Sequence, residues 1–205
     1  MSYSIGSSSD SGYEGTTCLI NKLGIRDENL LAETESAYTL AKASYLELNP
    51  LLGEFDFEHY KNIHRFLFCD LYDWAGELRG TDLSKKGTVF VAADSIQECA
   101  EACFARVKGL NFSEMEHLEL AEELADFYST LNMIHPFREG NGRAQRVFFA
   151  QWVRHLGYDI DFSDVDPDEL MIATIQAAQG VLDHLTALFS EHLTPTQTMD
   201  IQQIF

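Results

Sequence analysis

The sequence predicts a mainly α-helical single domain carrying one small β-hairpin. Three observations predict it. Apolar residues recur at helical spacing through most of the chain, and Asp, Ser, Pro and Gly punctuate the runs. Only the interval from Gly76 to Ala93 breaks the period, with Gly80, Lys85, Lys86 and Gly87 separating short β-prone pieces such as Thr88-Val-Phe-Val91. Finally, 45% of the 205 residues are hydrophobic, enough for one sizeable core, and neither a repeat nor a linker divides the chain.

Residues 1–15, rich in Ser, Gly and Asp, read as a flexible lead-in, with the single domain spanning residues 16–205. The stretch from Asp27 to about Glu47 lacks Gly and Pro and predicts a helix ended by Asn49-Pro50. A second helix is expected from Asp56, with Phe57, Tyr60, Ile63 and Leu67 on one face. After the hairpin, Ser95 with Glu98 and Ser113 with Glu116 each have capping-box spacing, predicting helix starts at both serines. Pro136 ends the second of these helices, and another should run from about Asn141 to Leu156 and stop at Gly157. Asp166-Pro167-Asp168-Glu169 has an N-cap, a Pro at the first helical position and an acidic first turn. That helix is expected to reach about Gln179, with a last apolar stretch from Leu182 to Leu193.

Charge excludes several functions. With 33 acidic and 14 basic residues the formal net charge is -19, which repels nucleic-acid backbones and anionic lipid. A bound phosphate must therefore meet a locally positive site. No apolar run approaches membrane-spanning length, and the first ten residues lack the basic and apolar regions of a signal peptide. Cys18, Cys69, Cys99 and Cys103 show no Cys-x-x-Cys spacing, and no histidine pattern completes a metal site around Cys99 and Cys103. Structural thiols in a reducing cytoplasm are the expectation.

One segment carries chemistry: His135-Pro-Phe-Arg-Glu-Gly-Asn-Gly-Arg-Ala-Gln-Arg146. His135 falls where one helix stops and Asn141 where the next begins. Gly140 and Gly142, lacking side chains, let the backbone approach a ligand closely around Asn141. The unpaired N–H groups of the second helix's first turn and its dipole suit phosphate. Arg143 and Arg146, three apart, share a face and can hold further phosphate oxygens. Glu139 alone would repel phosphate, a conflict that a bridging Mg²⁺ resolves. His135 titrates close to neutrality when unperturbed and is the candidate general base.

The segment has every specified position of the His-x-Phe-x-Asp/Glu-Gly-Asn-Gly-Arg-x-x-Arg signature, and so resembles the Fic (filamentation induced by cAMP) family. Ile63-His-Arg-Phe-Leu-Phe-Cys-Asp-Leu-Tyr-Asp-Trp-Ala-Gly-Glu-Leu-Arg79 and Asn21-Lys-Leu-Gly-Ile-Arg26 are similar to that family's other segments. The resemblance implies a Fic-type helical domain and an adenylyltransferase, in which a target-protein hydroxyl deprotonated by His135 attacks the α-phosphate of ATP. It assigns Mg²⁺ to Glu139, the phosphate cradle to Gly140, Asn141 and Gly142, and the outer phosphates to Arg143 and Arg146. It likens the hairpin at Lys85, Lys86, Gly87, Thr88, Val89, Phe90 and Val91 to a flap that docks an extended target segment by strand pairing.

Many relatives carry an inhibitory Ser/Thr-x-x-x-Glu-Gly/Asn motif. Each Glu followed by Gly or Asn here (Glu14, Glu28 and Glu139) lacks the required Ser or Thr four residues earlier or belongs to the signature itself. The resemblance therefore suggests a toxin-like member restrained by a separate small antitoxin, with type II topoisomerase subunits as candidate targets. The competing expectations are phosphotransfer from the γ-phosphate, transfer from another nucleotide such as CDP-choline or UTP, and an inactive interaction module. Intact Gly140-Asn-Gly142 weighs against the first, and intact His135 and Glu139 weigh against the last.

Overall fold

A computed structural model describes residues 4–5, 12–85 and 87–196; Lys86 of the hairpin and residues 197–205 of the expected domain lie outside the described residues. Helix α1 (Glu28–Leu48) begins where the Asp27 carboxylate accepts the Leu30 N–H, and α2 (Phe57–Phe68) where Asp56 accepts the His59 N–H. Each cap satisfies one of the N–H groups that a helix start leaves without an internal acceptor. The remaining helices are α3 (Ile96–Lys108), α4 (His117–Ile134), α5 (Asn141–His155), α6 (Pro167–Ala177) and α7 (Asp183–His192). Asp166 caps α6 through the N–H groups of Asp168 and Glu169, with Pro167 at the first helical position.

Neither expected capping box forms. Ser95 already has helical dihedrals, at the end of a 3₁₀ turn (Ala93–Ser95), and its hydroxyl bonds the Asp94 carboxylate. An N-cap needs extended backbone to aim its oxygen at the following amides, so the side chain is turned away. Ser113 likewise sits inside a 3₁₀ turn (Phe112–Glu114) with its hydroxyl on the Asn111 side chain, and α4 starts only after Glu116.

The described residues also include five short strands: β1 (Ser4–Ile5), β2 (Leu83–Lys85), β3 (Thr88–Val89), β4 (Tyr158–Asp159) and β5 (Thr194–Pro195). β2 and β3 are the expected hairpin, in the register Ser84 to Val89 and Lys85 to Thr88. β1 adds to the other edge of β2, although it lies within the stretch read as lead-in. The antiparallel β4–β5 pair was not expected, because two-residue strands carry no periodic signal.

Helix α5 runs through the core. Ala144, Phe148 and Phe149 are fully buried, and Phe148 meets Tyr60 of α2 and Phe104 of α3 edge-on at centroid distances of 5.4 and 5.6 Å. Phe149 packs on Phe127 and Tyr128 of α4 and on Phe189 of α7. Burying such aromatic area on three sides contributes roughly 2–3 kcal/mol per ring and leaves α5 no room to shift. Its N-terminus is therefore a fixed point, and the signature segment sits there.

Candidate active site

His135 caps the C-terminus of α4 in the left-handed conformation, with φ 46°, a costly backbone for a non-glycine residue. Local bonds hold it. Its own N–H reaches the Leu131 carbonyl, while Arg79 donates to the carbonyls of His135 (2.8 Å) and Ile134 (3.2 Å). The Nδ1 lies 3.0 Å from the Asn132 carbonyl, so it carries the proton and Nε2 carries the lone pair. The ring is buried and stacks on Phe90 at 3.8 Å. Burial, together with the charges of Lys85 and Arg79, lowers its pKa to about 3, outweighing the opposing Asn132 bond, so the imidazole is neutral at ordinary pH.

The turn from His135 to α5 is held by Asn141. Its buried side chain accepts the Phe137 N–H at 2.8 Å and donates to the Phe137 carbonyl at 2.7 Å. The side chain is thus spent on the turn, and what Asn141 offers a ligand is its backbone N–H at the first turn of α5. Gly140 has φ 80°, and a Cβ there would fall 2.3 Å from the Phe68 ring. Only a glycine meets both conditions at this position. Glu139 folds back onto the Gly140 N–H at 2.8 Å.

The two signature arginines part company. Arg143 is ion-paired with Glu35 of α1, lies 3.5 Å from Glu139, and covers the Phe68 ring at 4.9 Å. The other oxygen of Glu35 accepts the Tyr72 hydroxyl. Arg146 instead reaches the Tyr128 hydroxyl and, among the described residues, pairs with no carboxylate.

Arg146 lines a cavity of about 440 Å³ together with His135, Gly142, Lys85, Thr88 and Phe90. Its far wall is apolar, made by Phe162 and Val165 just before α6 and by Leu170, Met171 and Ile175 along that helix. Arg143 does not line it. A larger cavity, about 590 Å³, lies between the start of α2, α3 and the end of α5, and contains no signature residue. The chemistry belongs to the smaller one.

The hairpin residues are divided. Lys85 and Thr88 face the cavity, Val89 is exposed, and Gly87 makes the turn with φ 84°. Phe90 is buried against His135 rather than offered to a target. The Val91 N–H donates to the Met133 carbonyl, and its carbonyl accepts from Arg79 at 2.5 Å. Its backbone is therefore already paired.

Three supporting residues were not legible beforehand as parts of the site. Buried Arg79 ties the hairpin, through the Thr81 and Val91 carbonyls, to the end of α4. His64 accepts the Gly76 N–H at Nδ1 and approaches the Glu139 carbonyl at Nε2, both 2.9 Å, so its tautomer is the reverse of that in His135. Glu35 is the third. Arg79 and His64 both lie inside the family-like segment, which was the one available signal for them; Glu35 had none.

Together these features place a helix start, whose first-turn N–H groups suit an anion, beside a buried neutral imidazole, on a helical scaffold with hairpin residues lining the same cavity. The chain belongs to the Fic/DOC family: the family profile matches residues 54–153, and near-full-length relatives share about a third of their residues with it. One is "Probable protein adenylyltransferase Fic" of Escherichia coli, 32% identical over 87% of this chain and 89% of that protein. Another is protein adenylyltransferase VbhT of Bartonella schoenbuchensis, 34% identical over 87% of this chain, which spans only 38% of VbhT. Among solved structures, the Bartonella tribocorum effector BepC with bound AMPPNP superposes with a TM-score of 0.84 at 30% identity, covering 92% of this chain and 98% of that one. A Bartonella quintana Fic domain with bound ADP gives 0.86 at 28% identity, covering 92% and 96%.

Proposed function

We propose that the protein is an adenylyltransferase that moves AMP from ATP to a hydroxyl of a target protein, releasing pyrophosphate. The observation that carries this reading is the placing of His135, with its Nε2 lone pair, beside the first turn of α5 in one cavity with Arg146. The relatives named adenylyltransferases support it.

The triphosphate would lie on the first-turn N–H groups of α5, with Arg146 on an outer phosphate and the base against the apolar wall formed around α6. His135 would take the target's proton as the hydroxyl oxygen attacks the α-phosphorus. A pKa of about 3 in the ATP-free site makes a weak base. The arriving phosphate charge raises it, because a nearby anion favours the imidazolium. Arg143, held by Glu35, acts on phosphate through the turn rather than by direct reach.

Glu139 is the residue that would hold Mg²⁺. Among the described residues no group of three or more potential ligands surrounds it, which fits an ion arriving with the nucleotide's oxygens and not a preassembled metal centre. When bound, Mg²⁺ supplies charge neutralisation on the phosphates.

The toxin-like reading is part of the proposal. Among the described residues no carboxylate pairs with Arg146, which supports restraint by a separate antitoxin. Among the described residues no helix is long and apolar enough to cross a membrane, and a cytoplasmic site of action is proposed. The hairpin would position the target strand, with type II topoisomerase subunits as first candidates. The test is labelling in lysate with Mg²⁺ and either α- or γ-labelled ATP. Label from the α-position alone supports AMP transfer; label from the γ-position alone makes the protein a kinase.

A further inference from the structure

Tyr128 lies on α4 about two helical turns before His135 and lines the same cavity. Its ring is wedged among three others: Phe149 at 4.9 Å and Phe189 at 5.4 Å, both edge-on, and Phe162, stacked at 6.2 Å. Its carbonyl accepts from the buried Gln145 side chain at 2.6 Å, which fastens this turn of α4 to α5 one residue before Arg146. The phenol oxygen is thereby fixed by the core, and it accepts a hydrogen bond from Arg146.

That bond sets where the Arg146 guanidinium stands. A Cβ built on Gly142 would lie 3.5 Å from Arg146 Nη1, so the guanidinium sits over the first turn of α5, where unpaired amide N–H groups face an anion. The two signature arginines thus differ in the chemistry of their anchors. Arg143 is held by the Glu35 carboxylate, which offsets its charge. Arg146 is held by a phenol. Burial raises the pKa of Tyr128, more than the Arg146 charge lowers it, so the anchor stays neutral and the guanidinium keeps its full attraction for phosphate.

We propose that Tyr128 is a positioning residue that favours the triphosphate, holding Arg146 over the start of α5 without neutralising it. This rests on the reading of the cavity as a nucleotide site. An arginine side chain otherwise samples many rotamers, and fixing it before the ligand arrives removes that ordering cost from binding. The benefit falls on the phosphate that Arg146 meets, and not on the base or the α-phosphate.

Calorimetry on the full chain with Mg²⁺ compares AMP with the α,β-methylene analogue of ATP, whose α–β bridge resists cleavage. Tyr128→Phe keeps the ring and its packing; it should weaken the analogue about three- to tenfold while AMP changes by less than about twofold. Arg146→Ala should weaken the analogue about tenfold or more, and adding Tyr128→Phe to it should cost nothing further. Equal weakening of AMP and analogue overturns the proposal, as do losses that add in the double variant, since either makes Tyr128 a support of the whole cavity. An analogue affinity untouched by Tyr128→Phe also overturns it; if Arg146→Ala still binds weakly, the nucleotide reading survives and only the role of Tyr128 falls. Wild-type affinity in Arg146→Ala removes both that role and the placing of Arg146 on phosphate. These affinities do not depend on which phosphorus is attacked, so the labelling test of AMP transfer succeeds or fails separately.

Discussion

His64 Nε2 lies 2.9 Å from the carbonyl oxygen of Glu139, and the opposite ring nitrogen accepts the Gly76 N–H at the same distance. One fully buried ring, stacked on Phe137 at 3.8 Å, thereby fastens the signature turn to the loop that leads into the hairpin. Donor and acceptor are both needed, so no apolar residue of similar size substitutes. The pose of Glu139 depends on a residue 75 positions away.

His64→Phe keeps most of the volume but leaves a buried N–H and a buried carbonyl without partners. At roughly 1–3 kcal/mol for each orphaned group, unfolding in urea should show a loss of about 2–6 kcal/mol. AMP transfer should fall further than stability alone explains, since Glu139 and the α5 start lose their support. A variant with wild-type stability and rate would show that the two bonds carry nothing.

Gly140→Ala meets two obstacles at once, a left-handed φ of 80° and the Phe68 ring 2.3 Å from the new methyl. Strain at such a backbone is on the order of 1 kcal/mol, and the overlap adds about 1–3 kcal/mol more. Nucleotide binding by calorimetry should weaken at least about tenfold. Adding Phe68→Leu should recover part of the stability, because it removes the clash and leaves the strained φ. Recovery of none would place the damage in the backbone alone.

Arg143 and Arg146 should separate experimentally. Arg143→Ala strands Glu35, which is only about 10% exposed at its side chain, and should cost about 2–4 kcal/mol of stability. Arg146→Ala breaks no ion pair among the described residues but removes the partner of the buried Tyr128 hydroxyl, so stability should fall by about 1 kcal/mol, less than for Arg143→Ala, while ATP affinity drops about tenfold or more. The Glu35→Leu, Arg143→Met double variant should be more stable than Arg143→Ala, as expected for removing both members of a buried pair. Equal loss of ATP binding for both single arginine variants would return Arg143 to direct phosphate contact.

How far these residues could be read from the chain depended on the range of the interaction. Asp27, Asp56 and Asp166 cap helices through amides two or three residues away, so their spacing alone located the starts. Ser95 and Ser113 had equally good spacing and failed, because 3₁₀ turns set their dihedrals and spacing does not report dihedrals. The signature segment was legible because its turn, glycines and arginines are contiguous. Glu35 was not: its partner Arg143 is 108 residues away, and it sits on a helix whose pattern marks it merely as polar. Arg79 stood out only as the end of the family-like segment, and only the fold surrounds it with four carbonyls.

The last prediction concerns acid. Burial lowers the pKa of His64 to about 3, with the neighbouring Arg143 and Arg65 charges acting in the same direction and the Glu139 bond against them. His135 is lowered to about 3 as well. In the unfolded chain both titrate near 6.5. Between those values the unfolded chain holds protons that the folded chain does not, so stability rises with pH across the window. It is therefore lost as pH falls from about 6.5 toward 3, by on the order of 2 kcal/mol per histidine at pH 4.5. Easing of the chain's carboxylate repulsion acts the other way over the same range, so the total change does not isolate the histidines. Comparison with His64→Phe does. That variant cannot lose the His64 contribution, so its deficit relative to wild type should shrink by on the order of 2 kcal/mol between pH 7 and pH 4.5. Urea midpoints at the two pH values measure it. A deficit that stays constant would mean that His64 takes up its proton in the folded protein as readily as in water, and that the Gly76 N–H does not hold its Nδ1.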